Sequence, residues 1–205
     1  MPNEVAGEDV SRETFDDLIK FSDLVRKWTT KINLIAPSTI DDIWSRHVVD
    51  SSQLFRYAPN QFNHWVDIGS GGGFPGIVMA IYAKEQQPAA KFTLIESDQR
   101  KATFLRTASR ELSLNVSVVA ARIEDVPYGA ADIVSARALA TLSTLLPLAN
   151  QHLAPDGTCL FHKGKRVDEE IEEARKNWLF DLEEHPSFTD PAARLLVIQR
   201  ISRAE

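Results

Sequence analysis

The period of the hydrophobic pattern changes once along this chain. Over residues 11–28, Phe15, Leu18, Ile19, Leu24 and Val25 recur at helical spacing and Trp28 closes the stripe, which predicts an amphipathic helix with Ser11 as its N-cap. Residues 39–57 predict a second helix, with Ile40, Ile43, Trp44, Val48, Leu54 and Phe55 as apolar positions between Pro37 and Pro59. Beyond it, short apolar runs alternate with helical stretches. The runs are Trp65–Ile68, Phe92–Ile95, Val116–Val119, Asp132–Ser135, Thr158–His162, Trp178–Leu182 and Leu195–Ile201. Helices fit at Gly76–Ala83, Asp98–Leu112, Thr141–His152 and Val167–Lys176. Strand and helix in alternation imply an α/β fold with a mostly parallel sheet covered on both faces. The last two strands flank a turn-like His185–Pro191 segment, which predicts an antiparallel hairpin at the edge of a seven-stranded Rossmann-like sheet. Residues 1–60 are expected to form a helical extension packed on the core, and 61–205 one compact unit.

The first of these strands runs into Gly69-Ser70-Gly71-Gly72-Gly73-Phe74-Pro75-Gly76. Such a loop turns sharply, lets a ligand approach the backbone, and aims a helix N-terminus at it. Two registers coexist. Gly71, Gly73 and Gly76 satisfy G-x-G-x-x-G, the dinucleotide fingerprint of an NAD-dependent oxidoreductase. Asp67 with Gly69, Gly71 and Gly73 satisfies D-x-G-x-G-x-G, the pattern of S-adenosylmethionine sites in class I methyltransferases. A carboxylate at Asp67 is awkward beside a pyrophosphate and useful near a cationic methionine moiety, which favours the second register. Glu96 ends the next strand, where an acid accepts hydrogen bonds from ribose hydroxyls. Ile123 and Glu124 follow the third strand, placed to pack on an adenine face and accept from its amino group.

Composition narrows the setting. The chain has 205 residues and one cysteine, Cys159, which excludes an internal disulfide and a cysteine-ligated metal cluster; no metal is expected. The absence of a long apolar run and a polar, acidic start predict no membrane span and no signal peptide. The expectation is a cytoplasmic, monomeric protein. A net charge of −6 argues only weakly against a nucleic-acid partner, because a local basic face can sit on an acidic body.

The loop after the fourth strand reads Ser135-Ala136-Arg137-Ala138. It lacks the Asn/Asp-Pro-Pro-aromatic motif of enzymes that methylate exocyclic amines. Cys159 lies mid-strand and reads as a core residue rather than a nucleophile. Attack by guanine N7 needs neither, because that atom carries a free lone pair. Arg137 is a candidate contact for cofactor or phosphate. His162-Lys163-Gly164-Lys165-Arg166 is the best local basic cluster, and the acidic run Asp168–Glu173 reads as an exposed helix face. Arg46 with Asp50, and His47 with Ser51, are four apart. They form either an i,i+4 ion pair on a supporting helix or a lid on the pocket.

Lys31–Ile35, Arg46–Ser51, Asp67–Gly76, Ser135–Ala138 and Lys163-Gly164, in that order, resemble the bacterial small-subunit ribosomal RNA guanine-N7 methyltransferase G family, also called glucose-inhibited division protein B. The resemblance covers nearly the whole chain from about Trp28 onward. It implies S-adenosylmethionine as cofactor and N7 of one guanine in 16S ribosomal RNA, free or in the 30S particle, as target. The family's cofactor contacts map onto Gly69, Phe74, Ile123, Glu124 and Arg137. Arg46, His47, Asp50, Lys163 and Lys165 are the candidates for the RNA side. A non-catalytic RNA-binding module on the same fold is the further alternative.

Overall fold

Ahead of the first helix lies a small hairpin that the hydrophobic pattern does not announce. Strands β1 (Asn3–Val5) and β2 (Glu8–Val10) pair antiparallel around Ala6 and Gly7, whose φ values are 55° and 79°. Three-residue strands are too short to show alternation. The computed structural model describes residues 3–127 and 129–204; residues 1, 2, 128 and 205 of the two expected spans lie outside them.

Helix α1 (Arg12–Thr29) begins as expected, with the Ser11 hydroxyl accepting from the Thr14 N–H at 3.1 Å. Its buried stripe differs from the expected one. Ile19 is exposed, whereas Phe21, absent from the predicted stripe, is fully buried. Phe21 packs on Phe74 at 5.1 Å and on Phe104 at 6.4 Å between ring centroids. The helix therefore reaches across to the glycine loop.

The expected helix over 39–57 is broken into unlike turns. A 3-10 turn at Pro37–Thr39 precedes a π-helical stretch at Trp44–Val49. That stretch runs into the single α-turn α2 (Asp50–Ser52), and a 3-10 turn at Gln53–Tyr57 follows. Side chains compete for the backbone here: the Ser52 hydroxyl donates to the Val48 carbonyl at 2.8 Å and that of Ser45 to Asp42 at 3.3 Å, contacts that loosen a helix. The wider π turn shifts the faces. No Arg46–Asp50 ion pair forms among the described residues, and Asp50 pairs with Arg137 instead.

The remaining elements alternate as the pattern predicts: β3 (His64–Ile68), α3 (Gly76–Gln86), β4 (Lys91–Ile95), α4 (Gln99–Glu111), β5 (Val116–Val119), β6 (Ala131–Arg137), α5 (Leu142–Asn150), β7 (Leu153–Lys163), α6 (Val167–Arg175), β8 (Trp178–Pro186) and β9 (Arg194–Arg203). The large sheet has the order β5-β4-β3-β6-β7-β9-β8, parallel from β5 to β7, with β9 antiparallel to β7 and to the edge strand β8. Alternating side chains feed two cores. Trp65, Leu94 and Ile133 meet α1, α3 and α4 on one face, while Val66, Val134, Cys159 and Phe161 meet α5 and α6 on the other. Because α1 shares the first of these cores, packed against α3 and α4, the N-terminal segment and the sheet share one hydrophobic core. The direction of winding reverses between β3 and β6, so their C-terminal ends open a crevice there.

Candidate active site

The glycine loop fills that crevice. Gly69, Gly71 and Gly73 have φ values of 67°, 52° and 86°, the left-handed region in which a side chain is strained. These are the positions of the D-x-G-x-G-x-G register. Gly76 has another reason to be small, because a Cβ there would lie 2.5 Å from Leu94 Cδ2 and 2.7 Å from Asp67 Oδ2. Helix α3 thereby seats tightly on the sheet.

Asp67 departs from expectation. It is completely buried beneath the loop and does not line the cavity. On β3 it shares the face of Trp65, away from Val66 and Ile68. Trp65 Nε1 donates to Ser135 Oγ at 2.8 Å, and Ser135 Oγ donates to Asp67 Oδ1 at 2.6 Å. Burial pushes the Asp67 carboxyl up to about 6, and hydrogen bonds from Ser135, Ser70 and the Gly76 backbone offset part of that cost. Asp67 thus organises the loop from behind instead of meeting a ligand in front.

In front of the loop lies a cavity of about 530 Å³. Its wall holds Gly69, Gly71 and Phe74 from the loop, Glu96 after β4, Ile123 and Glu124 after β5, and Arg137 at the end of β6. Seven of the eight residues expected at the cofactor therefore converge, Asp67 being the exception. Glu96 is 8% exposed; Oε2 accepts from the Gly71 N–H at 2.8 Å and Oε1 from the Asp98 N–H at 2.7 Å. Each carboxylate oxygen has a second lone pair for a ribose hydroxyl. The same side chain therefore braces the loop and offers an acceptor to a sugar. Ile123 and Leu148 give the cavity an apolar wall beside Glu124. Acceptors for a diol, an apolar wall for a flat ring, and a backbone cradle closed to side chains fit an adenosyl group. Lys101, Leu34, Ile35 and Leu139 also line it. Lys101 and Leu139 carried no signal of their own, and Leu34 and Ile35 entered only through the family segment.

Arg137 is the centre of the polar wall. Its Nη1 donates to Asp50 Oδ2 at 2.8 Å and to the Arg46 carbonyl at 3.3 Å, its Nη2 donates to His47 Nδ1, and its guanidinium lies 5.4 Å from the centroid of Phe74. His47 in turn donates from Nε2 to Thr39 Oγ1 at 2.8 Å and faces Phe74 at 5.1 Å. His47 lines this first cavity. Asp50 Oδ1 accepts from Thr189 Oγ1 at 2.5 Å, and its carbonyl accepts from His162 Nε2 at 2.8 Å. Burial would raise the Asp50 pKa, but His162 and Arg137, with hydrogen bonds from Thr189 and Arg137, hold it below the usual carboxylate range.

A second cavity of about 270 Å³ adjoins the first. Arg46, Asp50, His162, Lys163, Glu170 and Thr189 are in its wall, and Arg137, Ala138 and Ala140 are common to both cavities. Lys163 is not in a solvated loop. It ends β7 and is buried, bound to Glu170 at 2.6 Å. Glu170 correspondingly leaves the exposed acidic face expected of α6. Lys165 is exposed in the turn beyond Gly164. Cys159 is core, as its position on the strand implied, and burial raises its thiol pKa. Among the described residues no cluster of metal-ligating side chains occurs, and no helix is long and apolar enough to cross a membrane.

Two predictions follow the geometry. Glu96→Ala is expected to weaken S-adenosylmethionine binding about 10- to 100-fold, the scale of lost charge-assisted hydrogen bonds; unchanged affinity by calorimetry would remove Glu96 from the ribose. The second concerns His47, held down to about 4 by burial and by Arg137, against the pull of Asp50. An unfolded histidine takes up a proton below about pH 6.5, and the folded one resists until about pH 4. Falling pH in that window therefore favours the unfolded chain. Against His47→Gln, the wild type should lose relative stability in chemical denaturation between pH 6.5 and 4, and a constant difference would contradict the assignment.

Comparison with known proteins agrees with this geometry. The family described as rRNA small subunit methyltransferase G matches residues 14–196. Ribosomal RNA small subunit methyltransferase G of Cereibacter sphaeroides is 54% identical over 194 residues, spanning 95% of this chain and 94% of that protein. The protein of the same description from Ruegeria pomeroyi is 48% identical over 194 residues, 95% of each chain. Solved structures share the fold at low identity. TYW2 of M. jannaschii in complex with AdoMet superposes with a TM-score of 0.58 at 16% identity, covering 86% of this chain and 80% of that one. The O-methyltransferase TomG of Streptomyces achromogenes in complex with SAM gives 0.60 at 13% identity, covering 90% and 89%. With its cofactor crevice, cavity wall and nearly full-length matches in agreement, this chain belongs to the rRNA small subunit methyltransferase G family.

Proposed function

We propose that this protein transfers a methyl group from S-adenosylmethionine to N7 of a guanine in 16S ribosomal RNA, presented as free RNA or in the 30S particle. The donor belongs in the first cavity and the acceptor base in the second. Bound there, S-adenosylmethionine supplies an electrophilic methyl carbon on a sulfonium.

One observation carries the choice of acceptor atom: the wall common to both cavities offers Arg137, Ala138 and Ala140, a cation and two alanines, and no base. Neither of the nearest imidazoles has an accessible basic nitrogen, His162 Nδ1 being buried without a hydrogen-bond partner. His47 accepts from Arg137 through Nδ1 and donates to Thr39 through Nε2. His162 donates to the Asp50 carbonyl through Nε2, and burial, with Arg137 adding to it, lowers its pKa to about 4 against the pull of Asp50. Guanine N7 carries no proton to remove, so a site of this kind acts by orientation and by excluding water. Bound S-adenosylmethionine would supply the methyl carbon to the N7 lone pair, its sulfur keeping the electrons of the bond given up, so the protein's residues would have no proton to remove. Arg46, exposed in the wall of the second cavity, and Lys165, exposed next to its lining residue Gly164, supply positive charge for flanking phosphates. Asp50 and Lys163 belong to the wall as charges already paired with Arg137 and Glu170 rather than as free charges for RNA. Glu96, Ile123 and Glu124 hold the ribose and adenine.

Nucleoside mass spectrometry of 16S RNA from a strain lacking this gene tests the reading. Loss of one 7-methylguanosine, restored by the purified protein with S-adenosylmethionine, is expected. An unchanged 7-methylguanosine content, or a methyl group restored to another atom, would overturn it.

A further inference from the structure

The partition between the two cavities has no regular secondary structure to hold it. It spans residues 138–141, between the end of β6 and the start of α5. Ala138 has φ 52°, a left-handed conformation that costs energy for a residue with a Cβ and persists only where its surroundings impose it. Leu139 is 37% exposed and leans on the glycine loop, where a Cβ added at Gly69 would fall 2.6 Å from its Cδ1. Thr141, the N-cap of α5, makes no side-chain cap hydrogen bond.

What fixes this strand-to-helix segment comes from two later elements. Lys163 Nζ, at the end of β7, donates to the Ala140 carbonyl at 2.6 Å. Glu170 Oε2, on α6, accepts from the Leu142 N–H at 2.9 Å and so caps α5 from outside its own sequence. The two side chains join at 2.6 Å and are 7% and 18% exposed. One ion pair thus grips the partition by a carbonyl on one side and an N–H on the other. A buried ion pair is a poor source of stability, because desolvation consumes most of its attraction. It is a good source of fixed geometry, since both partners have directional hydrogen bonds to fulfil.

We infer that Lys163 and Glu170 are positioning residues for methyl transfer, clamping the 138–142 backbone as the partition that sets the distance and angle between donor and acceptor. The inference rests on reading the second cavity as the acceptor site. It replaces a direct phosphate contact for Lys163, whose charge is already committed to Glu170. Both groups act through the backbone of the partition. A displacement of about 1 Å in such an element is enough to cost about 100-fold in rate while leaving binding intact.

Steady-state methylation of small-subunit substrates by Glu170→Gln, Lys163→Met, Lys163→Arg and the Glu170→Gln/Lys163→Met double variant provides the test, with S-adenosylmethionine affinity measured calorimetrically in each. Glu170→Gln keeps an oxygen for the Leu142 N–H and loses the ion pair. Both Glu170→Gln and Lys163→Met are expected to lower kcat about 10- to 100-fold, with cofactor Kd and RNA KM within about threefold of wild type. The double variant should be no slower than the slower single variant, and Lys163→Arg should recover part of the rate. A phosphate contact predicts a different pattern. Lys163→Met would then raise RNA KM and flatten its salt dependence, while Glu170→Gln, freeing the lysine, would lower RNA KM. That pattern, or an unchanged kcat in Glu170→Gln, overturns the inference. Lost cofactor binding in Lys163→Met would mark a folding defect, and Glu170→Gln then decides alone. A wild-type protein inactive on every small-subunit substrate would instead overturn the reading of the function.

Discussion

The pairing of Asp50 with Arg137 is the constraint on which the rest of the site depends. A guanidinium at the end of β6 and a carboxylate from the N-terminal segment meet at 2.8 Å, both side chains 15% exposed. Neither charge is tolerable there without the other, and removing one partner of a buried pair typically costs about 3–5 kcal/mol. The pair therefore fixes the relation between the broken helix over 44–57 and the sheet. Through Thr189 it also fixes the turn between β8 and β9, and through the Asp50 carbonyl it holds His162 on β7. Four parts of the chain far apart in sequence are brought to one point, and that point lies between the two cavities.

The glycine loop is held in a comparable way, by groups behind it. Asp67 and Ser135 tie β3 to β6 beneath the loop, Glu96 ties Gly71 to the end of β4, and Phe21 of α1 backs Phe74. A Cβ at Gly73 would meet the Phe21 ring at 2.9 Å, so α1 braces the glycine loop from behind without lining the cavity. The backbone of the glycine loop is prearranged by side chains that lie mostly behind it.

Much of this architecture is written locally in the sequence. All seven strands of the large sheet were predicted in order, because buried parallel strands read as short apolar runs between helices. The glycine loop, Glu96, Ile123 and Arg137 are legible because each stands at or just past the end of a strand, where a parallel sheet opens. Other features depend on contacts that no local pattern encodes. The burial of Asp67 behind the loop is not legible locally, because strand-end position says nothing of which face the side chain takes. The helix over 39–57 kept its apolar spacing but lost its regularity to serine back-bonding and to the pull of Arg137. Glu170 was indistinguishable from its exposed acidic neighbours, since only its contacts with Lys163 and Leu142, 7 and 28 residues away, give it a role.

The central claim is that Asp50 and Arg137 act as one unit joining the N-terminal segment to the methyl-transfer site. A double-mutant cycle of Asp50→Asn and Arg137→Gln, read by S-adenosylmethionine affinity and by 16S RNA methylation rate, tests it most directly. The account predicts strong coupling, with the double variant little worse than the more damaged single variant in both readouts. Additive losses, or an Asp50→Asn protein with wild-type affinity and rate, would contradict it.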